Sequence, residues 1–561
     1  MGHPRHAELR KCTYRFVWLL TVLSSCLAGT ATAQRSVSGL SGPSRDVDGV
    51  WDAYRAALAT AGKAPASDGL FRGPVQFHDS VRSSAAEHPW QGLERPAAKS
   101  SRGDGFTLSA RVPVLSLTWN SDRPVPDVSG PVWTGRGLTA ALRGGAMATW
   151  RQVFVQLEPL VWLGENRAFA LSPNGFGDSR RFNDPRFPLQ VDLPQAMGAQ
   201  RIARLNPGNS TVAIRASRLL VGVTTAARAW GMPGSYPLLL GTSAGGFPHA
   251  FMETDGGLRT PLGAIHSQIL LGRVGQSRWS PASGDSSGRS AAAVALSIRP
   301  RGLPGVEVGA ARFLHAHATS PWPRPALLSR LFSTGYTGSG TDGLAEANRA
   351  AENNLASVYF RWTPPAGRIS IGGEYLWEDY ANDFRDLLLY PDDLRTFNLH
   401  ASIVLQASAS RLAVVDVELV NGELPSSNER RARTGGDTPG VPFPPYLHSF
   451  LRQGHTHLGL PLGSRAAYGG AASRATVRRY APQGVRSLSF ERQMLQDWRR
   501  GTRGDSLTSR HIRHSVAVTT TTAGRVDRSF SLAVMYDLNV NLDAGNDVAH
   551  LTVTMRFGRL F

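Results

Sequence analysis

HLTVTMRFGRLF, the last twelve residues from His550 to Phe561, decides how the rest of the chain is read. Leu551, Val553, Met555, Phe557 and Phe561 fall on one side of an extended chain, and His550, Thr552, Thr554, Arg556 and Gly558 on the other. Arg559 is the one polar residue on the apolar side, next to the end, where a long side chain can snorkel. A strand repeats every two residues, so this stretch has one greasy face and one wet face. An amphipathic final strand ending in Phe561 is what an outer-membrane barrel presents to its insertion machinery.

The same alternation recurs upstream. Phe106, Leu108, Ala110, Val112 and Val114 share a face, as do Val153, Val155, Leu157, Val161 and Leu163 opposite Gln152, Gln156 and Glu158. Phe397, Leu399, Ala401, Ile403 and Leu405 alternate with Asn398, His400, Ser402 and Gln406. Phe530, Leu532, Val534, Tyr536 and Leu538 alternate with Ser529, Ser531 and Asp537, and Asp416 and Glu418 face away from Val415, Val417 and Leu419. A buried sandwich face has little use for Asp, Glu, Gln and His on one side over whole segments, whereas a polar lumen does. Strands of about 10 residues cross a bilayer when tilted. Roughly 460 residues at about 25 per strand and connection accommodate about 16 to 20 strands. The expected fold is therefore all-β, a transmembrane antiparallel β-barrel of about 18 strands spanning residues 104–561.

Composition fits this. Hydrophobic residues make up 41% of the 561 and the mean hydropathy is -0.20, which excludes a stack of transmembrane helices. The only long apolar run is Phe16–Leu23, preceded by Arg5, Arg10, Lys11 and Arg15 and followed by Ala31-Thr32-Ala33. That pattern is an export signal over residues 1–33, cut before Gln34; Leu23-Ser24-Ser25-Cys26 offers a lipoprotein cut before Cys26 instead. Cys12 and Cys26 are the only cysteines, so a chain cut before Gln34 has neither disulfides nor thiolate metal sites. Residues 34–103 form a separate segment, with an amphipathic helix over Asp48–Gly62 built on Val50, Trp51, Tyr54 and Leu58, expected in the periplasm. The net charge of +19 is carried almost wholly by scattered arginine, since lysine occurs only as Lys11, Lys63 and Lys99. Without a basic cluster nucleic acid is not the partner; the charge fits either a charged lumen or an electropositive mouth that attracts an acidic polymer.

Connections differ in length. Asn541–Asn546 is short, while Ser172–Pro207, Pro281–Ser290, Ser320–Asn354 and Asn421–Tyr446 are long and rich in Gly, Ser, Pro and Arg, as extracellular loops are. Glu346–Asn353 and Phe490–Arg499 read as briefly helical.

Four stretches carry a resemblance. They are the Trp-Gly-x-Pro-Gly turn of Trp230, Gly231, Pro233 and Gly234; Asn353-Asn354 followed by Glu374-Tyr375 and Glu378-Asp379-Tyr380; the strand acid Glu418 followed by Asn421; and the Gly-x-Thr-x-x-Gly-x-Pro-Leu-Gly run from Gly454 to Gly463. In this order they resemble the capsule assembly Wzi family across the mature chain. The resemblance implies an eighteen-stranded outer-membrane barrel with a small periplasmic helical bundle, acting as a lectin that holds capsular polysaccharide at the cell surface. The chain departs from the family at Ala229, where a second aromatic is common, and in its thin N-terminal helical part.

Sugars are held by aromatic faces and by polar groups that reach hydroxyls, with Arg adding charge-assisted bonds to uronic or sialic carboxylates. The candidate polysaccharide-binding residues are Arg228, Trp230, His249, Glu253, Trp377, Glu378, Asp379, Arg452, His455 and His457. Trp230 and Trp377 also fit a membrane-interface belt, and Glu378, Glu418 and Arg452 fit lumenal ion pairs. No catalysis, cofactor or metal site is expected. Gly241-Thr242-Ser243-Ala244-Gly245 matches the nucleophile-elbow pattern, but Gly246 and Pro248 forbid the helix that must follow. His315-x-His317 and His455-x-His457 lack a third metal ligand at a telling spacing. The expected partners are capsular or extracellular polysaccharide, outer-membrane lipid and the barrel insertion machinery, with the chain a monomer. The alternative is a porin or transporter for small solutes.

Overall fold

The computed structural model describes residues 50–64, 69–72, 87–91, 106–125, 130–232, 234, 236–282, 288–318, 320–333, 352–365, 367–378, 384–425, 428, 444–448, 450–495 and 510–558. The signal region, Pro233, Asp379 and Phe561 lie outside them.

The chain forms a closed antiparallel barrel of eighteen strands. In order they are β1 (Phe106–Asn120), β2 (Gly137–Trp150), β3 (Val153–Leu157 continued by Leu160–Gly164), β4 (Ile202–Asn206 continued by Thr211–Ala216), β5 (Leu219–Thr224) and β6 (His249–Thr254 continued by Leu258–Thr260). There follow β7 (Gly263–Val274), β8 (Arg289–Pro300), β9 (Val306–His317), β10 (Glu352–Trp362), β11 (Ile369–Glu378) and β12 (Arg395–Ala407). The last six are β13 (Leu412–Asn421), β14 (Ala471–Ala481), β15 (Gly484–Leu495), β16 (His511–Thr522), β17 (Asp527–Leu538) and β18 (Val548–Gly558). β18 pairs with β1 from Leu115↔Phe557 to Asn120↔Thr552, which closes the wall and leaves no sheet edge exposed.

The final strand behaves as its pattern dictates. Leu551, Met555 and Phe557 are exposed on the outside, and His550 is buried within. Leu399, Ile403 and Leu405 face out from β12, as do Phe530, Leu532, Val534 and Tyr536 from β17, while His400, Ser402 and Asp537 point in. An outer surface of exposed Leu, Val, Ile, Phe and Trp suits lipid, in which these side chains are already at home.

Three expectations need correcting. Val114 does not continue the outward row of Phe106 and Leu108, because a bulge between Arg111 and Val114 shifts the register and sends Leu115 and Trp119 outward instead. Pro113 sits in that bulge, where its missing N–H removes no ladder bond. Phe490–Leu495 is not helical but ends β15, with Phe490 outside and Gln493 buried inside. Glu352 and Asn353 likewise open β10 rather than close a helix. A period of two decides both cases.

Up-and-down order puts the tightest turns at one end of the barrel and the long connections at the other, where the link 539–547 between β17 and β18, read as short, also lies. Helix α1 (Val50–Thr60) closes the short-turn end. Gly62, with φ 66°, takes the left-handed position that stops it. Tyr54, Ala57 and Leu58 pack with Trp90 against Val404, Leu412, Val414, Tyr480 and Val485 on the inner wall. The Trp90 indole donates to Ala481 O at 2.9 Å, which ties the segment to the β14–β15 turn. The segment then enters the lumen. Phe71 and Arg72 pair with Trp230 and Ala229 as a two-residue strand, and the Leu70 amide donates to Glu307 of β9 at 3.1 Å.

Candidate functional site

Among the described residues, the connections around 187–197, 226–248, 275–282 and 444–468 fold into the barrel and pack as a plug against β7 to β11. Its centre joins Leu193, Leu238, Leu239, Leu240, Phe247 and Leu462 to inward Ala291, Ala293, Phe313 and Leu376 of the wall. Alanine along β8 leaves room for the plug to approach the sheet.

Acids on the inner wall hold its backbone. Glu374 of β11 accepts from the amides of Leu238 and Leu239, both at 2.9 Å, and from Ser357 Oγ at 2.9 Å. Glu378 accepts from Asn353 Nδ2 at 3.0 Å and from the Tyr446 amide. A buried carboxylate needs several donors to stay satisfied, and loop amides need acceptors; each requirement meets the other. Tyr446 is held at φ 79°, unusual for a side chain of its size, and its hydroxyl donates to Leu238 O at 2.7 Å. Gly463 lies so close that a Cβ there would stand 1.9 Å from Leu238 O, so only glycine fits the approach.

Arg228, Trp230, His249 and Glu253 come together as their proximity suggested, but inside this assembly. Arg228 pairs with Glu253 at 2.7 Å and donates to Gln268 Oε1 at 3.0 Å and His249 Nε2 at 2.8 Å. The Trp230 indole donates to the same Gln268 oxygen at 2.9 Å, and Gln268 in turn donates to Phe71 O at 3.0 Å. All four residues are buried. They form a bracket that joins the loop, the wall and the N-terminal segment.

His455 and His457 are also buried in the plug. His455 donates from Nε2 to Leu239 O at 2.7 Å, and His457 Nδ1 accepts from the Gly275 amide at 2.9 Å. Burial, and for both the nearby Arg289 cation, lowers each imidazole to about 3, so both are neutral at ordinary pH. Arg289 itself is fully buried and donates to the carbonyls of Gly454 and Thr456. Glu378 acts as the backbone acceptor described above. Trp377 lies on the outward side of β11, its ring tilted against Tyr375 at 4.5 Å between ring centres, and both donate to Pro391 O. That is an interface-belt position.

Arg452 is the sequence-proposed residue that the fold leaves exposed at the long-loop end, beside exposed Phe450. The neighbouring loops add groups that the sequence did not single out. Arg181 lies over Phe182 at 4.9 Å, Arg278 over Trp279 at 4.3 Å, and the two aromatic rings stand 6.5 Å apart. Gln453 and Asp192 lock this loop pair to the plug: the Asp192 amide donates to Gln453 O at 3.0 Å, and Asp192 accepts from the Ser277 amide at 2.6 Å. Burial raises the Asp192 carboxyl against the lowering effect of these Ser277 bonds. Arg181, Arg278 and Arg452 are exposed and form no ion pair with a carboxylate among the described residues. For Arg181 and Arg278 only the Arg-rich loop composition was visible in the sequence.

Opposite the plug, a cavity of about 760 Å³ runs along the inner faces of β13 to β18. Ser489, Ser515, Thr519, Ser531 and Thr554 line it with Arg143, Arg474 and Arg556. Arg478 pairs with Asp416, and Arg513 pairs with Asp537 at 2.7 Å, on the same wall. Ser243 of the Gly-x-Ser-x-Gly stretch lies in a loop beside this cavity, with no helix after Gly245.

No protein-family model and no curated protein sequence matches the chain. Solved structures do. The chain shares the fold of Wzi. That protein, an outer membrane protein involved in group 1 capsule assembly in Escherichia coli and a carbohydrate-binding β-barrel, matches with a TM-score of 0.51 at 13% identity, over 81% of this chain and 85% of its own. A BenF-like porin from Pseudomonas fluorescens Pf-5 matches with a TM-score of 0.38 at 9% identity, over 81% and 98%, and opdK from Pseudomonas aeruginosa with 0.37 at 9%, over 80% and 98%. The barrel fold thus resembles that of an outer-membrane protein.

Proposed function

We propose that the protein is an outer-membrane lectin that anchors capsular or extracellular polysaccharide at the cell surface, without catalysis. In this reading the chain is a monomer with its long connections facing outside and α1 facing the periplasm, and its C-terminal strand addresses the insertion machinery. The carrying observation is the surface made by the plug and its neighbouring loops, where exposed Arg181, Arg278 and Arg452 stand with exposed Phe450 and half-buried Phe182, over a buried Trp279. Arginine forks suit carboxylates of an acidic polymer, and aromatic faces suit its C–H surfaces. Weak contacts repeated along a polymer supply affinity that no single site needs to hold. The likeness to a carbohydrate-binding barrel supports the same reading. Arg228, Trp230, His249, Glu253, Glu378, His455 and His457 serve it from beneath, by fixing the loops that carry the surface.

The test is retention of purified acidic capsular polysaccharide on immobilised protein. Replacing Arg181, Arg278 and Arg452 together by Ala is expected to lower retention about tenfold, and raised salt to do likewise. Deletion of the gene is expected to shed polysaccharide into the medium while synthesis continues. Unchanged retention and unchanged cell-bound polymer would contradict the proposal. The cavity along β13 to β18 favours the second reading, a porin for small solutes, which requires steady conductance in a planar bilayer.

A further inference from the structure

The connection after β9 does not join the plug. Residues 320–333 turn outward and lie on the outer face of the wall. Within them, helix α2 (Ala326–Arg330) sets Leu327, with Leu331 just beyond it, against Ala292, Leu314 and Ala316. Those three share the outward row of Leu296 and Val308, which are exposed, whereas Ala291, Ala293 and Phe313 between them face the plug. The flap therefore covers strand ends that would otherwise meet lipid, at the long-loop rim. It leaves Trp322 79% and Phe332 70% exposed on its own outer side.

Arginine gathers around it. Arg273, on the outward row of β7, donates to Ser320 O. Arg273 pairs across the sheet with Ser290, whose hydroxyl accepts from the Arg324 amide at 3.1 Å. Arg273 through its side chain and Arg324 through its backbone amide are thus held next to one another on the outer rim, and neither has a carboxylate partner among the described residues. Arg312 donates to Leu331 O at 3.1 Å and Ser333 O at 2.9 Å, and Arg330 pairs with Glu352 at 3.1 Å. An outward arginine is unfavourable at the bilayer centre and tolerated at the interface, where anionic head groups sit. Exposed Trp and Phe beside it belong at that same depth.

We propose that this flap is a docking site for the phosphorylated glycolipid of the outer leaflet, with lipid phosphate on Arg273 and Arg324 and acyl chain against Trp322 and Phe332. Guanidinium forks hold phosphate oxygens in pairs, which makes the site selective for phosphate over a neutral head group. The proposal rests on the orientation read above, with long connections outside, and not on which polymer the plug surface binds.

The experiment uses the full-length barrel in detergent and measures binding of bisphosphorylated lipid A, enzymatically dephosphorylated lipid A and phosphatidylglycerol by native mass spectrometry. Bisphosphorylated lipid A is expected to bind at least tenfold more tightly than its dephosphorylated form, and more tightly than phosphatidylglycerol, which offers a single phosphodiester and fewer acyl chains to Trp322 and Phe332. Arg273→Ala with Arg324→Ala is expected to abolish that preference, and Trp322→Ala to weaken all three lipids together. Heat-modifiable migration verifies that each variant is a closed barrel. If the double variant does not close, Arg324→Ala alone, which leaves the backbone bond to Ser290 intact, is expected to reduce the preference at least threefold. Equal binding of phosphorylated and dephosphorylated lipid A, equal binding of phosphatidylglycerol, or a preference that survives the arginine variants would overturn the proposal. Polysaccharide retention by the same variants is expected to stay at the wild-type level, so the two readings fail separately.

Discussion

The two halves of the inner wall are built from the same backbone and hold opposite contents. From β7 to β11 the inward row runs through Ala291, Ala293, Phe313, Leu355 and Leu376, and the plug packs dry against it. From β13 to β18 the inward row runs through Thr476, Ser489, Ser515, Ser531 and Thr554, and a cavity lies against it. A barrel wall does not need a packed interior to close, because its ladder bonds satisfy the backbone and its outer face is solvated by lipid. What each half packs against is therefore free to serve function. One half grips loops into a rigid surface, and the other keeps a polar space beside it.

That contrast can be broken by mutation. Phe313→Ala empties a fully buried ring position among Phe247, His315 and His455 and is expected to destabilise the folded protein by about 3–5 kcal/mol in a denaturant titration. A value near zero would mean the plug is not packed there. Glu374→Ala strands the amides of Leu238 and Leu239; at roughly 1–3 kcal/mol for each unsatisfied group, their hydrogen exchange should rise at least tenfold while β15 to β17 remain protected. Equal acceleration on both walls would erase the distinction between them.

Acid acts on the plug side. His455 and His457 sit at about 3 when buried, against an ordinary value of 6.5 once released. Their contribution to plug docking is complete above about pH 6.5 and declines as pH falls toward 3. The decline is at most about 1.4 kcal/mol per pH unit for each imidazole. Exchange of the 444–470 amides is expected to quicken between pH 7 and pH 4.5, and His455→Gln with His457→Gln to flatten that response. A pH-independent rate in the wild type would count against their neutral burial. The smallest effect belongs to the wet wall: Ser531→Ala, which removes a bond to Thr519 at 2.9 Å, is expected to change stability by no more than about 0.5 kcal/mol.

The wall was legible in the sequence because lipid on one side and polar space on the other force every second residue to declare its side. This is why β12, β17 and β18 could be read almost residue by residue, and why the misreading at Val114 traces to a bulge that offsets the alternation by one place. The plug was not legible. Arg228, Trp230, His249 and Glu253 have the residue types of a sugar site, and the same types satisfy a buried bracket equally well. What separates the two uses is Gln268 and Phe71, distant in sequence. His455 and His457 were ambiguous for the same reason, since their partners are Leu239 and Gly275. The α1 segment was read as a helix, but nothing in its pattern tells that the chain beyond it threads into the lumen to pair with Ala229 and Trp230.

The central claim is that the long connections are folded into a fixed surface rather than left open around a channel. Single-channel recording of the purified protein in a planar bilayer at neutral pH tests it most directly. A fixed plug leaves the bilayer silent for the wild type and lets current appear when Glu374→Ala loosens it. Large, stable conductance steps from the wild type would contradict it.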